Sequence, residues 1–498
     1  MLAHVTSRDQ DDSIQSLASR SWLLSSLLAA TLIARLVLPP LPESQLRKQL
    51  ILLGEQPPTM SSHDEELPEG VTSILDTDLY KLTMQSAVLK FFPEVQVEYA
   101  FTNRTPHMRL TRQAYKWLQE QVSKLANITL TDEEMAWLQQ QCPFLPTAYT
   151  EWLLHFRLCP DEQVVLSFEN VQGDGDEAVG DLGMSVKGLW VDTILYEIPL
   201  LALTSEAYFK FVDRDWSYEG QEENAYRKGV RLFDAGCMVS EFGSRRRRDL
   251  KTHHLIMTGL CRASGGGRKG KLTGSSNVYL AMKHGVPPVG TVAHEWYMGI
   301  ASITNNYENA NELGLDYWLK CFGEGVLGIA LTDTFGTPAF FKAFKKNLPD
   351  GAGDSSKTYA QVFTGIRQDS GDPKDYVKMA GDFYKSQGIS GKTLVFSDSL
   401  NTDLCIEYKA IAEEHGFKPS FGVGTFFTND FSKSSSPEEK SKPLNIVIKI
   451  SKAGGRPAIK ISDNIGKNTG DQSTVKEVKE RLGYSEKSWQ EGDESRRW

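Results

Sequence analysis

The residues best suited to chemistry in this chain follow short apolar runs, at points where a buried strand gives way to polar side chains. The run Val286–Val292 is followed by His294 and Glu295, which places an imidazole next to a carboxylate. Polar groups at a strand end of this kind usually line the active site of an α/β enzyme. A lone histidine is more often a core residue that caps a helix, so His294 needs support from other strand ends.

Four further apolar runs end in the same way. They are Val326–Leu331 before Thr332-Asp333-Thr334, Val362–Ile366 before Arg367-Gln368-Asp369, Leu394–Phe396 before Ser397-Asp398-Ser399, and Phe421–Val423 before Gly424-Thr425. Amphipathic helical patterns separate the runs, which predicts parallel strands joined by right-handed crossovers in an α/β fold. Five such units favour a barrel over an open sheet, because a barrel brings all the polar ends to one rim.

The string Gly365–Pro373 combines a cation with two carboxylates at a predicted strand end. Arg367 can bind an anion, and Asp369 and Asp372 can bind ribose hydroxyls or Mg²⁺. This assortment suits a phosphorylated sugar. A surface salt bridge between the same side chains is the alternative explanation.

Three other strings indicate an anionic ligand. Glu241–Arg248 ends in four arginines, which bind carboxylates and phosphates, and includes Phe242, which can stack on a flat ring; a solvated basic patch or nucleic-acid contact is the alternative. Gly422-Val-Gly-Thr425 offers N–H groups and a hydroxyl to a monophosphate, although so short a glycine motif is weak evidence by itself. Gly274-Ser-Ser-Asn277 predicts a helix start that favours an anion, although an ordinary N-cap is the commoner explanation.

Composition limits the classes of function. The 498 residues are 40% hydrophobic and 24% charged, as in a globular protein, and the net charge is −9. This acidity argues against an extended nucleic-acid surface, so no nucleic-acid partner is expected. Six widely spaced cysteines form no Cys-x-x-Cys pair, which favours reduced thiols and a cytoplasmic location over disulfides or a zinc site. The nucleus stays open as a second compartment.

Residues 1–70 differ from the rest of the chain. The apolar stretch Trp22–Ala34 is shorter than the roughly 20 residues needed to cross a bilayer, so no membrane partner is expected. Signal-peptide and transit-peptide interpretations stay open, although Asp9, Asp11 and Asp12 stand where either signal prefers positive charge. We expect residues 1–70 to be a poorly ordered extension and 485–498 a disordered tail.

Several of these strings, taken in order, resemble the motifs of the nicotinate phosphoribosyltransferases. The resemblance runs from about Ser73 to Asp471. It is carried by Asp76-Thr-Asp-Leu-Tyr-Lys-Leu-Thr-Met84, Glu241-Phe-Gly-Ser-Arg-Arg246, Gly274-Ser-Ser-Asn277, Gly290-Thr-Val-Ala-His-Glu-Trp296, Gly365–Pro373 and Gly422-Val-Gly-Thr425.

This resemblance implies an architecture and a reaction. The architecture is an irregular TIM-like α/β barrel over residues 186–440, with a second α/β domain formed by residues 71–185 and a returning C-terminal segment, 441–484. The reaction transfers phosphoribosyl from phosphoribosyl pyrophosphate to nicotinate, giving nicotinate mononucleotide for NAD salvage, with coupling to ATP hydrolysis. A homodimer with shared active sites is implied. Mg²⁺ would enter with phosphoribosyl pyrophosphate and ATP as substrates, without a protein-held metal or a tightly bound organic cofactor.

The resemblance also implies roles for single residues. His294 matches the histidine that ATP phosphorylates, and Asp369 matches a catalytic position near the ribose. The substrate-binding positions are Tyr80, which stacks on the pyridine from the neighbouring subunit, Phe242 on the opposite ring face, Arg245 against the ligands, Thr291 and Arg367 at nicotinate, and Thr425 with Gly424 at the 5-phosphate.

Ser276 bears on which pyridine is used. Nicotinamide-using relatives carry an aspartate at this position, which accepts from an amide but repels a carboxylate, so Ser276 favours nicotinate. A nicotinamide or quinolinate phosphoribosyltransferase stays the alternative enzyme, because Arg246–Arg248 do not exclude a second carboxylate. Among proteins that are not enzymes, the alternative is a catalytically silent phosphosugar-binding homologue. The presence of His294, Arg367 and Asp369 argues against it. A barrel glycosidase explains neither the arginines nor the glycines.

Overall fold

The computed structural model describes residues 68–351, 353–464 and 468–484. All the described residues belong to one compact unit, residues 67–498. The predicted extension up to residue 67 and the predicted tail 485–498 lie outside the described residues. Within the described part of that extension, Glu69 pairs with Lys210, and the Gly70 N–H donates to Glu206.

Helices and strands alternate along most of the described chain. The helices are α1 Leu79–Phe91, α2 Arg112–Lys124, α3 Asp132–Gln141, α4 Thr147–His155, α5 Pro160–Gln163, α6 Trp190–Thr193, α7 Glu197–Phe211, α8 Gln221–Asp234, α9 Leu250–Ser264, α10 Val278–His284, α11 His294–Thr304, α12 Ala310–Phe322, α13 Thr337–Phe344, α14 Tyr359–Val362, α15 Pro373–Ser386, α16 Thr402–Glu414, α17 Thr425–Thr428 and α18 Gln472–Leu482. The strands are β1 Gln96–Asn103, β2 Leu110–Thr111, β3 Val164–Gln172, β4 Val179–Leu189, β5 Met238–Glu241, β6 Lys271–Ser275, β7 Ile329–Leu331, β8 Gly365–Gln368, β9 Thr393–Phe396, β10 Lys418–Val423, β11 Phe431–Ser432, β12 Lys440–Ser441, β13 Ile446–Ala453 and β14 Arg456–Pro457.

Local capping explains where several helices begin. The Thr111 side chain accepts from the N–H of Ala114 at the start of α2. Thr131 and Glu134 form a reciprocal capping box on α3, which satisfies two N–H groups of its first turn. Both helices therefore begin directly after a threonine that accepts from an N–H group of the first turn.

Six parallel strands carry the predicted strand ends. Their order is β6-β5-β10-β9-β8-β7, and each neighbouring pair runs parallel. Helices cover the strands, whose central side chains, such as Val239, Ile366 and Phe421, are fully buried. A buried parallel sheet with helical connections confirms the α/β class.

The segment 286–292 bridges the two outer strands of this sheet without being a strand. Its backbone exchanges hydrogen bonds of 3.2 and 2.9 Å with Ser275 of β6, and Thr291 Oγ1 donates to a carbonyl of β7 at 2.9 Å. The predicted strand here is wrong, because Pro287 and Pro288 have no N–H groups with which to continue a ladder. Closure of the sheet into a regular barrel stays a prediction.

One other boundary differs from that predicted. Val362 ends α14 instead of starting a strand, because Thr358 and Gln361 form a capping box that begins this short helix, and β8 starts only at Gly365.

A second sheet combines strands from both ends of the described chain. Its order is β14-β13-β1-β4-β2, with β3 paired to the other side of β4. β1 and β13 are antiparallel, with Asn103 opposite Ile446. This pairing returns the C-terminal segment to the N-terminal strands and, beyond β14, to the parallel sheet. Among the described residues, no helix is long and apolar enough to cross a membrane.

Candidate active site

His294 is the first residue of α11 and contacts the residues that follow two strands of the parallel sheet. Its Nδ1 lies 3.0 Å from Thr334 Oγ1, after β7, and its Nε2 lies 2.9 Å from Asp369 Oδ2, after β8. Asp333 Oδ1 is 3.6 Å from the same Nε2. Three of the predicted polar ends therefore meet at one imidazole.

The pKa values of His294, Asp333 and Asp369 are all lower than usual. Burial, and then the nearby Lys460 ammonium, lowers the pKa of His294 to about 4, so the ring is neutral at pH 7. Burial acts to raise the pKa of Asp369, but Arg367 and His294 hold that pKa well below the usual range. Lys460 and His294 likewise outweigh burial and lower the pKa of Asp333. A neutral imidazole thus lies between two carboxylates whose pKa values are lowered.

Lys460 is a site residue that sequence reasoning missed. Its Nζ lies 2.8 Å from His294 Nε2 and 3.1 Å from Asp333 Oδ2, and its side chain is 3% exposed. It comes from the C-terminal segment, where Ile461 N–H donates to Thr334 O at 2.8 Å. No motif surrounds Lys460 in the sequence, so only the tertiary fold reveals its position.

Serine hydroxyls orient the two carboxylates. Ser370 Oγ donates to Asp333 Oδ2 at 2.5 Å, and Ser397 Oγ donates to Asp369 Oδ1 at 2.6 Å. Among the described residues, the ligand atoms of His294, Asp333 and Asp369 come close enough, within 4.8 Å, to hold a metal ion. The Lys460 ammonium already contacts two of these three groups and competes with a cation there.

A second group of side chains surrounds Tyr80. Its Oη donates to Glu197 Oε2 at 3.4 Å, and the Arg245 guanidinium carbon lies 5.9 Å from its ring centroid. Arg245 NH1 is 3.5 Å from Glu197 Oε1, and 46% of its side chain is exposed. Tyr80 therefore adjoins Arg245 of its own chain, whereas the resemblance implies stacking in the neighbouring subunit; the homodimer stays a prediction.

Of the other three arginines of the run, Arg247 and Arg248 are buried and have structural roles, whereas Arg246 is partly exposed like Arg245. Arg247 pairs with both oxygens of Asp76 at 2.7 Å. Arg248 lies over the Phe209 and Phe431 rings at 3.7 and 4.0 Å, and Arg246 donates to Asn445 Oδ1 at 3.0 Å. Burial explains why these cations need partners inside the protein.

The glycines near Thr425 leave room for Phe242. A Cβ at Gly422 would lie 2.3 Å from the Phe242 ring, and one at Gly424 would lie 3.0 Å from the Phe242 carbonyl. The Phe242 N–H donates to Val423 O at 2.8 Å. The glycine motif thus holds Phe242 against the end of β10, next to Thr425 at the start of α17.

Arg367 lies between Asp369 and the backbone that follows Thr291. Arg367 NH1 donates to Val292 O at 3.2 Å and lies 3.8 Å from Asp369 Oδ1. The Thr291 hydroxyl donates to Ile329 O, so its hydrogen in this structure is directed to the sheet.

Two family models match this chain, one over the N-terminal part of the described residues and one over most of the remainder. The nicotinate phosphoribosyltransferase N-terminal domain matches residues 75–205, and the nicotinate phosphoribosyltransferase family matches residues 237–486. The chain belongs to the nicotinate phosphoribosyltransferase family. A Schizosaccharomyces pombe relative, named a probable nicotinate phosphoribosyltransferase, is 49% identical over 83% of this chain and 98% of its own length.

Two Saccharomyces cerevisiae comparisons agree. The nicotinate phosphoribosyltransferase of that yeast is 48% identical over 86% of this chain and 99% of its own length. A crystal structure from the same yeast matches with a TM-score of 0.79 at 47% identity, and covers 84% of this chain and 100% of that one. The match therefore extends over nearly the whole length of these relatives.

For a member of this family, the placement of Ser276 is informative. Its hydroxyl donates to Asp78 Oδ1 at 2.7 Å and its side chain is buried. The string Gly274–Asn277 forms no anion site, because the N–H groups of residues 275–279 already donate within the protein and Asn277 caps α10. The anion expectation at this helix start is wrong, and the ordinary N-cap explains the motif.

The family site also carries cations that the sequence motifs did not indicate. Burial, Lys460 and Arg104 lower the pKa of Lys449 well below its usual range. Among the described residues, no hydrogen bond or ion pair engages the Lys449 ammonium. Burial, and then Arg245 and Arg104, lowers the pKa of Arg246. Basic side chains from the N-terminal, middle and C-terminal parts of the described chain therefore lie near one another.

The predicted site residues thus form connected groups. His294, Asp369 and Arg367 are linked by contacts around α11, and Arg367 reaches the carbonyl of Val292, the residue after Thr291. Phe242, Gly424 and Thr425 lie together at the end of β10. Tyr80, and then Glu197, Asp78 and Asp369, raise the pKa of Arg245, which connects the Tyr80 group to Asp369 of the first group. Asp372 is not part of the site, because it caps α15 by accepting from Lys374 N–H.

Proposed function

We propose that this member of the family transfers phosphoribosyl from phosphoribosyl pyrophosphate to nicotinate, giving nicotinate mononucleotide and pyrophosphate for NAD salvage. We further propose that ATP phosphorylates His294 and that its hydrolysis favours product formation. The observation that carries the proposal is the neutral, largely buried His294 held by Thr334, Asp369 and the cation Lys460.

The cations support the phosphorylated substrates. Besides burial, Arg104 contributes to lowering the pKa of both Arg246 and Lys449, Arg245 contributes for Arg246, and Lys460 contributes for Lys449. Such a group of basic side chains attracts the pyrophosphate of one substrate and the triphosphate of ATP. Mg²⁺ enters with these substrates. Asp333 and Asp369 offer it no dedicated cage, because Lys460 and serine hydroxyls already engage these two carboxylates.

The Tyr80 group supports an aromatic acid as the acceptor. Tyr80 and Phe242 supply ring faces for the pyridine, and the exposed Arg245 supplies a cation for its carboxylate. Arg367 is the second cation near this region, and Thr291 lies beside it. Arg247 and Arg248 are engaged inside the protein, so they offer no charge for the second carboxylate of quinolinate.

The transfer itself needs no strong base. The pyridine nitrogen attacks the anomeric carbon of the ribose, the bond from that carbon to the pyrophosphate oxygen breaks, and pyrophosphate leaves with the electron pair. Asp369 lies where a carboxylate can hold the ribose hydroxyls and offset positive charge that develops at the ribosyl centre. The remaining contribution is positioning of the two substrates.

The state of His294 suits phosphoryl transfer from ATP. Its pKa of about 4 leaves the ring unprotonated at pH 7, so no proton has to be removed before a ring nitrogen attacks phosphorus. The phosphorylated ring would differ in charge and size from the free one. ATP would thereby couple to the neighbouring substrate site through a free-energy difference between the two states.

The test uses purified protein with phosphoribosyl pyrophosphate and Mg²⁺, offered nicotinate, nicotinamide or quinolinate, with and without ATP. We expect mononucleotide from nicotinate only, with ADP formed alongside it. The His294→Ala variant should lose acid-labile protein phosphate and the stimulation by ATP. Product from another pyridine would overturn the acceptor assignment, and no product from any pyridine would favour the silent phosphosugar-binding homologue.

A further inference from the structure

Charge at His294 is balanced before any phosphoryl group arrives. The two carboxylates, Asp333 and Asp369, face the two cations Lys460 and Arg367, and the imidazole between them is neutral. All of these side chains are at least largely buried, so solvent screens them poorly. A change of charge at the imidazole therefore has to be met by movement of a neighbouring charged group.

Phosphorylation makes such a change. A phosphoryl group adds about two negative charges and three strong acceptor oxygens. On His294 Nε2 these oxygens would lie against Asp369, at 2.9 Å from that nitrogen, and near Asp333, at 3.6 Å. Like charges at this separation repel strongly unless a cation intervenes. Lys460 is the cation in contact with Nε2, at 2.8 Å.

We propose that Lys460 is a catalytic residue of the phosphoryl-transfer step, whose ammonium moves from Asp333 to the phosphoryl group on His294 Nε2. This role rests on the ATP coupling proposed above. An ammonium has three donors on a flexible stem, so it can leave one acceptor for another a few ångströms away without movement of the backbone. Asp333 keeps its hydrogen bond from Ser370 when Lys460 leaves.

The step balances in atoms and charge. The Nε2 lone pair of His294 attacks the γ-phosphorus of ATP, the N–P bond forms, and the bond from that phosphorus to the bridging oxygen breaks. ADP leaves with the electron pair of the broken bond. This step uses the tautomer with its proton on Nδ1; that proton stays on the ring, and the Nδ1–H donates a hydrogen bond to Thr334 Oγ1, which lies 3.0 Å away. Lys460 stays protonated throughout and offsets negative charge on the transferred group.

The backbone around Lys460 fixes the ammonium at this position. Lys460 exchanges two backbone hydrogen bonds of 3.0 Å with Thr469, and the next residue donates to Thr334 O. Asp463 accepts from the N–H of Thr337 at 2.8 Å, and its own N–H donates to Ser370 Oγ at 3.1 Å. Ser462 between them has φ 66°, a left-handed conformation that costs energy in a serine. The segment is thus anchored to the same strand ends that hold His294.

A purely structural ion pair between Lys460 and Asp333 is the alternative. That role would make the Lys460→Gln variant less stable but would leave the chemistry of any folded protein unchanged. The rates at which the phosphoenzyme forms and decays therefore distinguish the two roles. Lys452 supplies a matched control, because it is an exposed lysine of the same C-terminal segment, on β13, whose ammonium pairs with Glu98 at 3.3 Å.

The experiment measures formation and decay of the phosphoenzyme with γ-labelled ATP and Mg²⁺ in rapid-quench mixing. Full-length wild type, Lys460→Gln, Lys460→Arg and Lys452→Gln are compared, with thermal melting to establish that each is folded. We expect Lys460→Gln to form phosphoenzyme about 100-fold or more slowly. Lys460→Arg, which keeps the charge, should recover part of that rate, and Lys452→Gln should match wild type.

Different outcomes identify which proposal fails. Wild-type formation and decay rates in folded Lys460→Gln would overturn the role of Lys460 while leaving ATP coupling intact. No phosphoenzyme in wild type would remove the ATP coupling itself and this role with it. If Lys460→Gln does not fold, the isomer of the wild-type phosphohistidine decides instead. Phosphate on Nε2 supports the proposal, and phosphate on Nδ1 overturns it because Lys460 does not contact that nitrogen.

Discussion

The hydrogen bond to Asp78 determines what a substitution of Ser276 does. The buried Asp78 Oδ1 accepts from Ser276 Oγ at 2.7 Å and from Ser244 Oγ at 2.6 Å. Burial raises the pKa of Asp78, and Arg245 and the two serines oppose that rise. A neutral donor at residue 276 therefore stabilises a carboxylate that is already present. The effect of this position on pyridine choice has to include its effect on Asp78.

We expect Ser276→Asp to weaken nicotinate use and to destabilise the protein. A second carboxylate would replace a donor to Asp78 in a buried site, where two like charges cannot both ionise and an uncompensated charge costs about 3–5 kcal/mol. The nicotinate KM and the melting temperature measure the two effects. Ser276→Ala, which removes only the hydrogen bond, should lose less stability, about 1–3 kcal/mol.

The double variant Ser276→Asp, Asp78→Asn separates the causes. It removes one of the two facing carboxylates and should restore much of the melting temperature while nicotinate use stays weak, because residue 276 still repels the substrate carboxylate. Recovery of the nicotinate KM together with stability would show that Ser276 acts only through Asp78. Unchanged constants in Ser276→Asp itself would show that the assignment of this position is wrong.

At the level of elements, the sequence predicts which site residues follow strands of the parallel sheet. It does not predict which residues of the C-terminal segment reach the same site. Apolar runs mark β7, β9 and β10, so Asp333 and Thr425 could be placed at strand ends from the sequence. Lys460 reaches His294 from the C-terminal segment through the pairing of β1 with β13, a long-range contact that no local pattern encodes. The two prolines after Val286 could have corrected the strand predicted there, because they lack the N–H groups that the hydrogen bonds of a strand require.

The fit between β10 and the loop that bears Phe242 gives a prediction at this scale. We expect Gly422→Ala to raise the nicotinate KM, by up to about 100-fold, because the added Cβ would lie 2.3 Å from the Phe242 ring and must displace it. Steady-state kinetics with nicotinate and with phosphoribosyl pyrophosphate measure the change. The control is Gly381→Ala on α15, where the new Cβ meets its nearest atom at an ordinary 3.4 Å. An unaltered nicotinate KM in Gly422→Ala would mean that Phe242 is not a wall of the pyridine site.

For the whole molecule, the stability depends on a carboxyl group far from the chemistry. Glu206 on α7 is buried, and its Oε1 accepts from Gly70 N–H at 3.2 Å, which holds the start of the described chain against this helix. Burial, and then Asp249, raises the pKa of Glu206 from 4.5 to about 8. Between these values the folded protein keeps a proton that the unfolded chain has released. The stability from this group is complete below the unfolded pKa and is lost as pH rises through about 8.

We expect Glu206→Gln to flatten the alkaline side of the stability curve. The amide keeps the shape and an acceptor for Gly70 N–H, but it has no charge to bury, so the variant should gain stability relative to wild type between about pH 5 and about pH 8.5, by at most about 1.4 kcal/mol per unit of pKa difference. Melting temperatures across that range measure the gain, with Glu151→Gln, an exposed change on α4, as the control. Parallel curves for wild type and Glu206→Gln would mean that the Glu206 carboxyl is ionised in the folded protein at neutral pH. The segment from Gly70 would then have to be held to α7 by a charged rather than a neutral acceptor, at the cost of desolvating that charge.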